Sequence, residues 1–359
     1  MAHPLTAEQL DALSSSFAPD PQLWATDLTT FDSVRLPLIS GRINLDGASV
    51  ERTTLDATVA AVDSDGSRYV PEEWGDLLVP DDCVLTAFYG LGAGAPVKVA
   101  TVYLDSTTVI GPDGTLALVG YSRATRVSQA GYPPGATSYT GNAAQAAVKV
   151  VEAALGVTVQ VVNLGVTGPT VIDAEAFTGD PWDAVETLMD AAGAEAYFDV
   201  EDRLVLRPVP RAEAPVAWTL ATGEGGTITR YEATVERAPN VVRMRFRDPA
   251  GQADVLGTAT ATGPADPAGA YGPFRLDVDR DGRVTTTQAT EAAQEYLLRA
   301  GGLMRSLTIE AVPHPGIEVG DSIGVTFPNG ATEVHRVTSV ALPLTVGDTM
   351  QVRTRSVPW

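Results

Sequence analysis

Residues 53–60 read Thr-Thr-Leu-Asp-Ala-Thr-Val-Ala, so Leu55, Ala57 and Val59 fall on one side of an extended chain while Thr54, Asp56 and Thr58 fall on the other. That two-residue period recurs along most of the sequence and restricts it to half-buried strands. It returns in VRLPLISGRINL, VKVATVYLDSTTVI and TLALVGYSRATRV, then in NVVRMRFRD, SLTIEAV, SIGVTFP, EVHRVTSVAL and TMQVRTRSV. Thirty-four glycines and 25 prolines separate these runs. Gly111-Pro112-Asp113-Gly114 is a hairpin turn with a mechanism, because Pro fixes φ and Gly supplies positive φ.

Helices are few and carry their own start and stop signals. Thr6 and Gln9 are spaced as a capping box ahead of a helix from about Ala7 to Ser15. Asn142 can cap a second, with Val148, Val151 and Leu155 on one stripe and Gly156 at its end; a short strand, VTVQVVNL, follows. A third has Asp180 as N-cap, Pro181 at its first position, Asp183 in its first turn and Gly193 beyond its end, and it buries Trp182, Val185, Met189 and Ala192. A hairpin follows, AEAYFDV then RLVLRPV, turning at Glu201-Asp202. The last helix spans about Gln288 to Ala300, with Ala289, Ala292, Ala293, Tyr296 and Leu297 inward.

The fold class read from this pattern is mainly β, α+β overall, with two β-barrel-like domains flanking a small α/β domain. The expected division is an N-terminal arm with a short helix (1–32), a first β-barrel-like domain (33–128), a linker (129–141), the α/β domain (142–234) and a second β-barrel-like domain with one helix (235–359). A length of 359 residues suits two or three domains.

Composition removes several function classes. Hydrophobic residues make up 44% and charged residues 19%, and no stretch approaches the roughly 18 uninterrupted apolar residues of a membrane span. The start, MAHPLTAEQLDALSSSF, lacks the basic and apolar regions of a secretory signal, so cytoplasmic synthesis without export by that route is expected. Cys83 is the one cysteine and sits in an apolar run, which leaves no internal disulfide or thiolate cluster. A net charge of −21 repels nucleic acid and anionic membranes. The richest basic collection is Arg237, Arg243, Arg245 and Arg247, and the last three share one face of a strand, a solvated or subunit-facing surface.

No catalytic residue and no cofactor-binding residue is assigned. His3, His314 and His335 have no metal-ligand spacing, and neither a G-x-S-x-G elbow nor a P-loop is present; Gly90–Gly94 is a turn. The candidate metal site is Asp277, Asp279 and Asp281 before Gly282, the D-x-D-x-D-G opening of a calcium loop. Its twelfth position is Gln288, not Glu, and Arg280 and Arg283 would oppose a cation, so the segment reads instead as a turn, as does Asp63-Ser-Asp65-Gly66. Glu72-Glu73-Trp74 and Asp81-Asp82 are the acidic clusters from which a glycosidase pair could be drawn; adjacent loop carboxylates are ordinarily solvated surface.

Three segments carry a resemblance. SGRINLDGASVERTTLDATV resembles the opening β domain of tail-tip or baseplate hub proteins of tailed bacteriophages, in particular minor tail proteins of phages of high-GC Gram-positive hosts. PWDAVETLMDAAGAEAYFDVEDRLVLRPVP is similar to the hub's small α/β domain, and TIEAVPHPGIEVGDSIGVTF with EVHRVTSVALPLTVGDTMQVRTRSV to its closing β-barrel. The first 30 residues and residues 251–273 match nothing in the family. The resemblance implies a non-enzymatic virion protein of the tail tip, assembled in the host cytoplasm as a homotrimer whose two barrels per subunit form a pseudo-sixfold ring. Its implied partners are the distal tail protein, tail tube and tape-measure proteins, and tip or fibre proteins, with DNA only passing through the channel. The competing expectations are a tail-associated carbohydrate-binding or cell-wall hydrolase protein, the hub of a contractile injection system or prophage remnant, and a bacterial β-rich interaction protein.

Overall fold

The computed structural model describes residues 5–356 except 14–16, 63, 65, 67, 93, 112–113, 132–140, 169, 172–178, 210–214, 237, 248–252, 271, 282–283 and 301–303. Among these residues no helix is long and apolar enough to cross a membrane. After a short helix α1 (Ala7–Leu13) come seven strands: β1 (Asp20–Asp27), β2 (Ser33–Leu36), β3 (Leu38–Asp46), β4 (Thr53–Ala60), β5 (Cys83–Gly90), β6 (Val97–Ile110) and β7 (Thr115–Tyr121). They pair in the order β3-β4-β7-β6-β5-β1-β2, each pair antiparallel. β2 and β3 are consecutive on either side of Pro37, so both ends of this path are one chain segment, bonded to β1 before the proline and to β4 after it. Proline cannot donate to a ladder, and here it marks the point where the segment changes partners. In β4 the inward residues are those with the expected period: Leu55, Ala57 and Val59 are buried.

The chain then leaves the sheet. α2 (Arg123–Ala130), the two-residue strand β8 (Gly141–Asn142), α3 (Ala143–Leu155), β9 (Val161–Asn163), β10 (Thr170–Val171), α4 (Pro181–Ala191), β11 (Ala194–Phe198) and β12 (Leu204–Pro208) form an α/β unit with a separate core. β12 lies between antiparallel β11 and parallel β9. The cap signals operate as the sequence predicts: Asn142 caps α3, Gly156 is left-handed, and Asp180 accepts the Trp182 N–H at 2.7 Å ahead of Pro181; Gln145, not singled out from sequence, completes a reciprocal capping box with Asn142.

β13 (Trp218–Ala221) and β14 (Ile228–Glu236) return the chain to the large sheet. Before that sheet continues, β15 (Val241–Arg247), β16 (Val255–Thr260), β17 (Arg275–Asp281) and α5 (Thr286–Ala300) build a third small core around Val242, Met244, Phe246, Ala289 and Ala293. β14 pairs directly with the next strand, β18 (Met304–Ala311), so everything between them is an insertion. β19 (Ser322–Thr326), β20 (Thr332–Pro343) and β21 (Met350–Ser356) complete the order β14-β18-β21-β20. On its other side β20 pairs with β19 over its first half and with β3 over its second, and β13 adds in parallel to β19. The β3–β20 seam, with Leu45 opposite Val340 and Ile43 opposite Leu342, joins both strand sets into one 13-stranded sheet. Their apolar residues form one continuous cluster, from Leu23 and Leu55 to Ile309 and Val352.

The mainly β class of the sequence reading is what the chain adopts, and several elements differ from it. The segment 20–27, expected within an arm, is a strand paired on both sides; only Leu23 and Ala25 mark its inner face, and Pro21 tolerates the position near the strand start. The strand expected to run through Val127 ends at Tyr121, where Ser122 turns away by donating to the Glu51 carbonyl and α2 buries Ala124 and Val127. The strand expected at VTVQVVNL is limited to Val161–Asn163. α5 starts two residues early because Thr285 and Gln288 cap it reciprocally. The unmatched stretch 251–273 contains β16, whose inward residues are Gly257 and Ala259, too small to signal a hydrophobic face. Most of the expected linker and the centre of the Gly111–Gly114 turn lie outside the described residues.

Candidate functional site

The β11–β12 hairpin of the α/β unit is held at both ends by clusters of charged and polar side chains. At its base Glu195 and Arg207 face each other in register. Arg207 is 5% exposed and donates from Nε to Glu195, while its Nη2 reaches the Val319 carbonyl at 3.0 Å. Arg52, from the turn after β3, approaches the same carboxylate at 3.8 Å and the same carbonyl at 3.4 Å. Both guanidinium groups lie over the Tyr197 ring, at 3.7 Å for Arg52 and 4.9 Å for Arg207. Burial lowers the affinity of Arg52 for its proton, and Glu195 opposes that. Glu318 stands beside this cluster, its acidity weakened to a pKa of about 7 by burial and then by the nearby Asp321.

At the other end the hairpin turn is built on Asp199, which accepts the Glu201 and Arg203 backbone N–H groups, each at 2.9 Å, and holds the Arg203 guanidinium. The turn docks on β6. Thr101 donates to the Val200 carbonyl at 2.6 Å, Tyr103 donates to Asp202 at 2.7 Å, Lys98 pairs with Glu201 at 3.0 Å, and Arg123 joins Asp202 at 2.9 Å. Burial raises the pKa of Asp202. Arg280 of β17 donates to Asp190 of α4 at 3.0 Å and ties in the third core. The arrangement holds charges in fixed pairs between units.

The residues singled out from sequence are distributed away from this junction. Asp277 and Asp279 are not in a loop: both lie on β17, Asp279 under the fork of Arg245 at 2.6 Å and beside Arg247 at 2.7 Å, and Asp277 against Arg275 at 2.9 Å. The hydrogen bonds from Arg245 hold the Asp279 carboxyl below its ordinary range. Parallel pairing places Arg243 opposite Asp277 and Arg245 opposite Asp279, so the segment is an ion-pair ladder with its acidic side chains already engaged. Asp281 ends the strand, and Gly282 and Arg283 lie outside the described residues, as do Asp63, Asp65, His3 and Arg237. Among the described residues no group of three or more potential ligands is arranged to hold a metal ion.

His335 is fully buried, contacting Glu333 and Thr354 at 3.2 Å each. His314 packs edge-on against Trp218 and accepts the Gly316 N–H; burial lowers its pKa to about 4. Cys83 is buried on β5, and burial pushes its thiol up to about 12. Glu72 and Glu73 lie on an exposed turn closed by Asp76, with Trp74 89% exposed at its crest. Asp81 holds Arg126 at 3.0 Å. The junction itself was missed in the sequence because Arg52, the Glu195–Arg207 hairpin pair and Glu318 come from three separate segments; the available signal was Arg207 at the end of the apolar run Leu204–Leu206.

No family model matches this sequence, and no curated protein matches it. Solved structures do. A tail protein from Neisseria meningitidis aligns with a TM-score of 0.64 at 14% identity, covering 94% of this chain and 96% of that one. The 43 kDa tail protein of prophage MuSo2 from Shewanella oneidensis gives 0.64 at 10% identity, with 94% and 98% covered. An E. coli component of the type VI secretion system, described as structurally similar to T4 bacteriophage tail proteins, gives 0.51 at 9% identity, with 90% and 74% covered. At these identities the likeness is one of fold, and it extends over nearly the whole length: the chain is built on the fold of phage tail proteins.

Proposed function

We propose that this chain is a structural protein of a phage-type tail, a hub at the distal end that joins tail tube and distal tail protein to tip or fibre proteins. The observation that carries the reading is the end-to-end likeness to tail proteins, 94% of this chain against 96% of the Neisseria protein. The internal layout supports it. One subunit holds two strand sets fused at the β3–β20 seam, so three subunits supply six such sets, a match between a sixfold tube and a threefold tip. The division into two β-barrel-like domains around an α/β domain belongs to this reading, as do the homotrimer, the tape-measure contact and the place in the virion after assembly in the host cytoplasm. A net charge of −21 suits a channel through which DNA slides without binding.

Light scattering on purified protein tests the assembly: a species three times the 37.5 kDa chain mass is expected. Antibody labelling of particles in electron micrographs tests the location. A protein that stays monomeric at high concentration and whose antibody leaves the tail tip unlabelled would overturn the reading.

A further inference from the structure

Two features of the first strand set are left open among the described residues, one a knob and one a groove. The knob is Trp74, 89% exposed at the crest of the turn between β4 and β5. The turn beneath it is fixed: the Asp76 carboxylate accepts the Glu72 and Glu73 N–H groups at 2.6 and 2.9 Å, and Gly75 takes a φ of 101°. Leu78 is fully buried and its carbonyl accepts the Thr107 hydroxyl at 2.9 Å, while the Asp81 N–H donates to the Leu104 carbonyl, so the segment is seated along β6. A large apolar side chain held out on a fixed turn loses little freedom when it is covered.

The groove, of about 690 Å³, runs between the Leu36–Ile39 corner and the turn after β20, and its apolar lining includes Pro21, Leu36, Pro37, Ile39, Leu344 and Val346. The β3–β4 register slips at Ile39, which turns that side chain out to 51% exposure; Val346, across the groove, is 65% exposed. The charged lining residues, Asp20 and Arg35, lie 3.4 Å apart and offset one another, with Gln22 donating to Asp20. In a chain of net charge −21, this neutral face is one that an acidic turn can approach without general repulsion; on that turn Glu72 is already paired with Arg68 at 3.6 Å.

The strand order puts the two on opposite flanks. β6 stands third from β3 through β4 and β7, and third from β2 through β5 and β1, and the β2–β3 segment carries the groove. A knob and a socket so placed do not meet within one chain; they form the head-to-tail contact that a closed ring of three identical subunits requires. We propose that Trp74 of one copy of this chain seats in the groove of the next, between Ile39 and Val346, as the anchor of the contact between subunits. Covering the indole removes roughly 150–250 Å² from water, against roughly 800 Å² per partner in a stable interface, so Trp74 is its hot spot and not its whole. The inference rests on the trimer reading and adds to it which surfaces meet.

Two variants of the full chain, Trp74→Cys and Val346→Cys, mixed and treated with a short bismaleimide, test the contact; Cys83 is buried and stays unreactive. A covalent species of two chains is expected from the mixture and from neither variant alone. In light scattering over a concentration series, Trp74→Ala and Ile39→Asp are each expected to need about tenfold or more the parent's concentration to assemble. Phe31→Ala, which removes an exposed aromatic from the β1–β2 turn, is expected to assemble as the parent does, and circular dichroism checks that each variant is folded. A trimeric parent with Trp74→Ala assembling equally well and no cross-link in the mixture overturns the proposal and leaves the trimer reading standing. A parent that stays monomeric at high concentration, with no cross-link, overturns the trimer reading and the proposal with it. Cross-linking of Trp74→Cys to itself would set knob against knob, a twofold contact, and overturns the proposal as well.

Discussion

Gly257 lies where β16 passes under α5, and a Cβ built there would stand 2.0 Å from the Ala289 carbonyl oxygen. Backbone on both sides prevents relief by side-chain rotation. Gly257→Ala is therefore expected to cost about 3 kcal/mol, read as a lowered denaturation midpoint, with the loss of amide protection concentrated in β15–β17. Glu318 makes a different kind of residue-scale prediction. Its pKa rises from 4.5 to about 7 on folding, so between those values the native chain binds more protons than the unfolded one, and stability falls as pH increases through that window. His314 works the other way: with a folded value of about 4 against 6.5, its contribution is gained as pH rises from about 4 to 6.5. Glu318→Gln removes the share of the fall that Glu318 contributes, leaving the rise from His314 in place. Denaturant unfolding at pH 5 and pH 8 is expected to show the variant gaining on the parent at the higher pH; a constant difference would show that Glu318 is not buried as described.

At the scale of elements, the β11–β12 hairpin transmits position between units, and Glu195 is the charge that makes its base tolerable. Removing it leaves Arg207 and Arg52 buried together, which is worse than removing the whole set. Glu195→Ala is expected to lose about 3 kcal/mol, and replacing Arg52 in the same chain to recover part of it; hydrogen exchange at β11 and β12 reads both. The N-cap of α4 is a smaller effect, Asp180→Ala costing about 1 kcal/mol. What could be read from sequence divides along the same line. α3 and α4 were legible because their caps and stripes are local, as with Asn142 and Asp180, and β4 because Leu55, Ala57 and Val59 declare a face. β16 was not, since glycine and alanine face its core, and the ladder of Asp277 and Asp279 was read as a turn because a carboxylate's partner across a parallel sheet, Arg245, is 34 residues away. The junction was illegible for the same reason: Arg52 and Glu195 meet only after two units dock.

For the whole molecule the decisive feature is the seam, because it determines whether the two strand sets act as separate bodies or as one. Ser339–Pro343 of β20 pair with Arg42–Asp46 of β3, and β20 is at the same time bonded to β21, so this strand has a partner on each side. Beneath it the apolar cluster runs without interruption from Leu55 to Val352. Cooperative unfolding follows shared burial, since opening one set would expose the flank of the other. Calorimetry is accordingly expected to show the two sets melting in one transition, with β4 and β21 losing amide protection together, while the α/β unit and the insertion, each with a core of its own, are free to open earlier. Ala341→Pro places a residue without an N–H at the centre of the seam, opposite Asn44 on one side and Gln351 on the other. It is expected to lower that shared transition by several degrees and to split it. Protection of β4 that persists after β21 has exchanged in the parent chain would mean that the strand sets are independent.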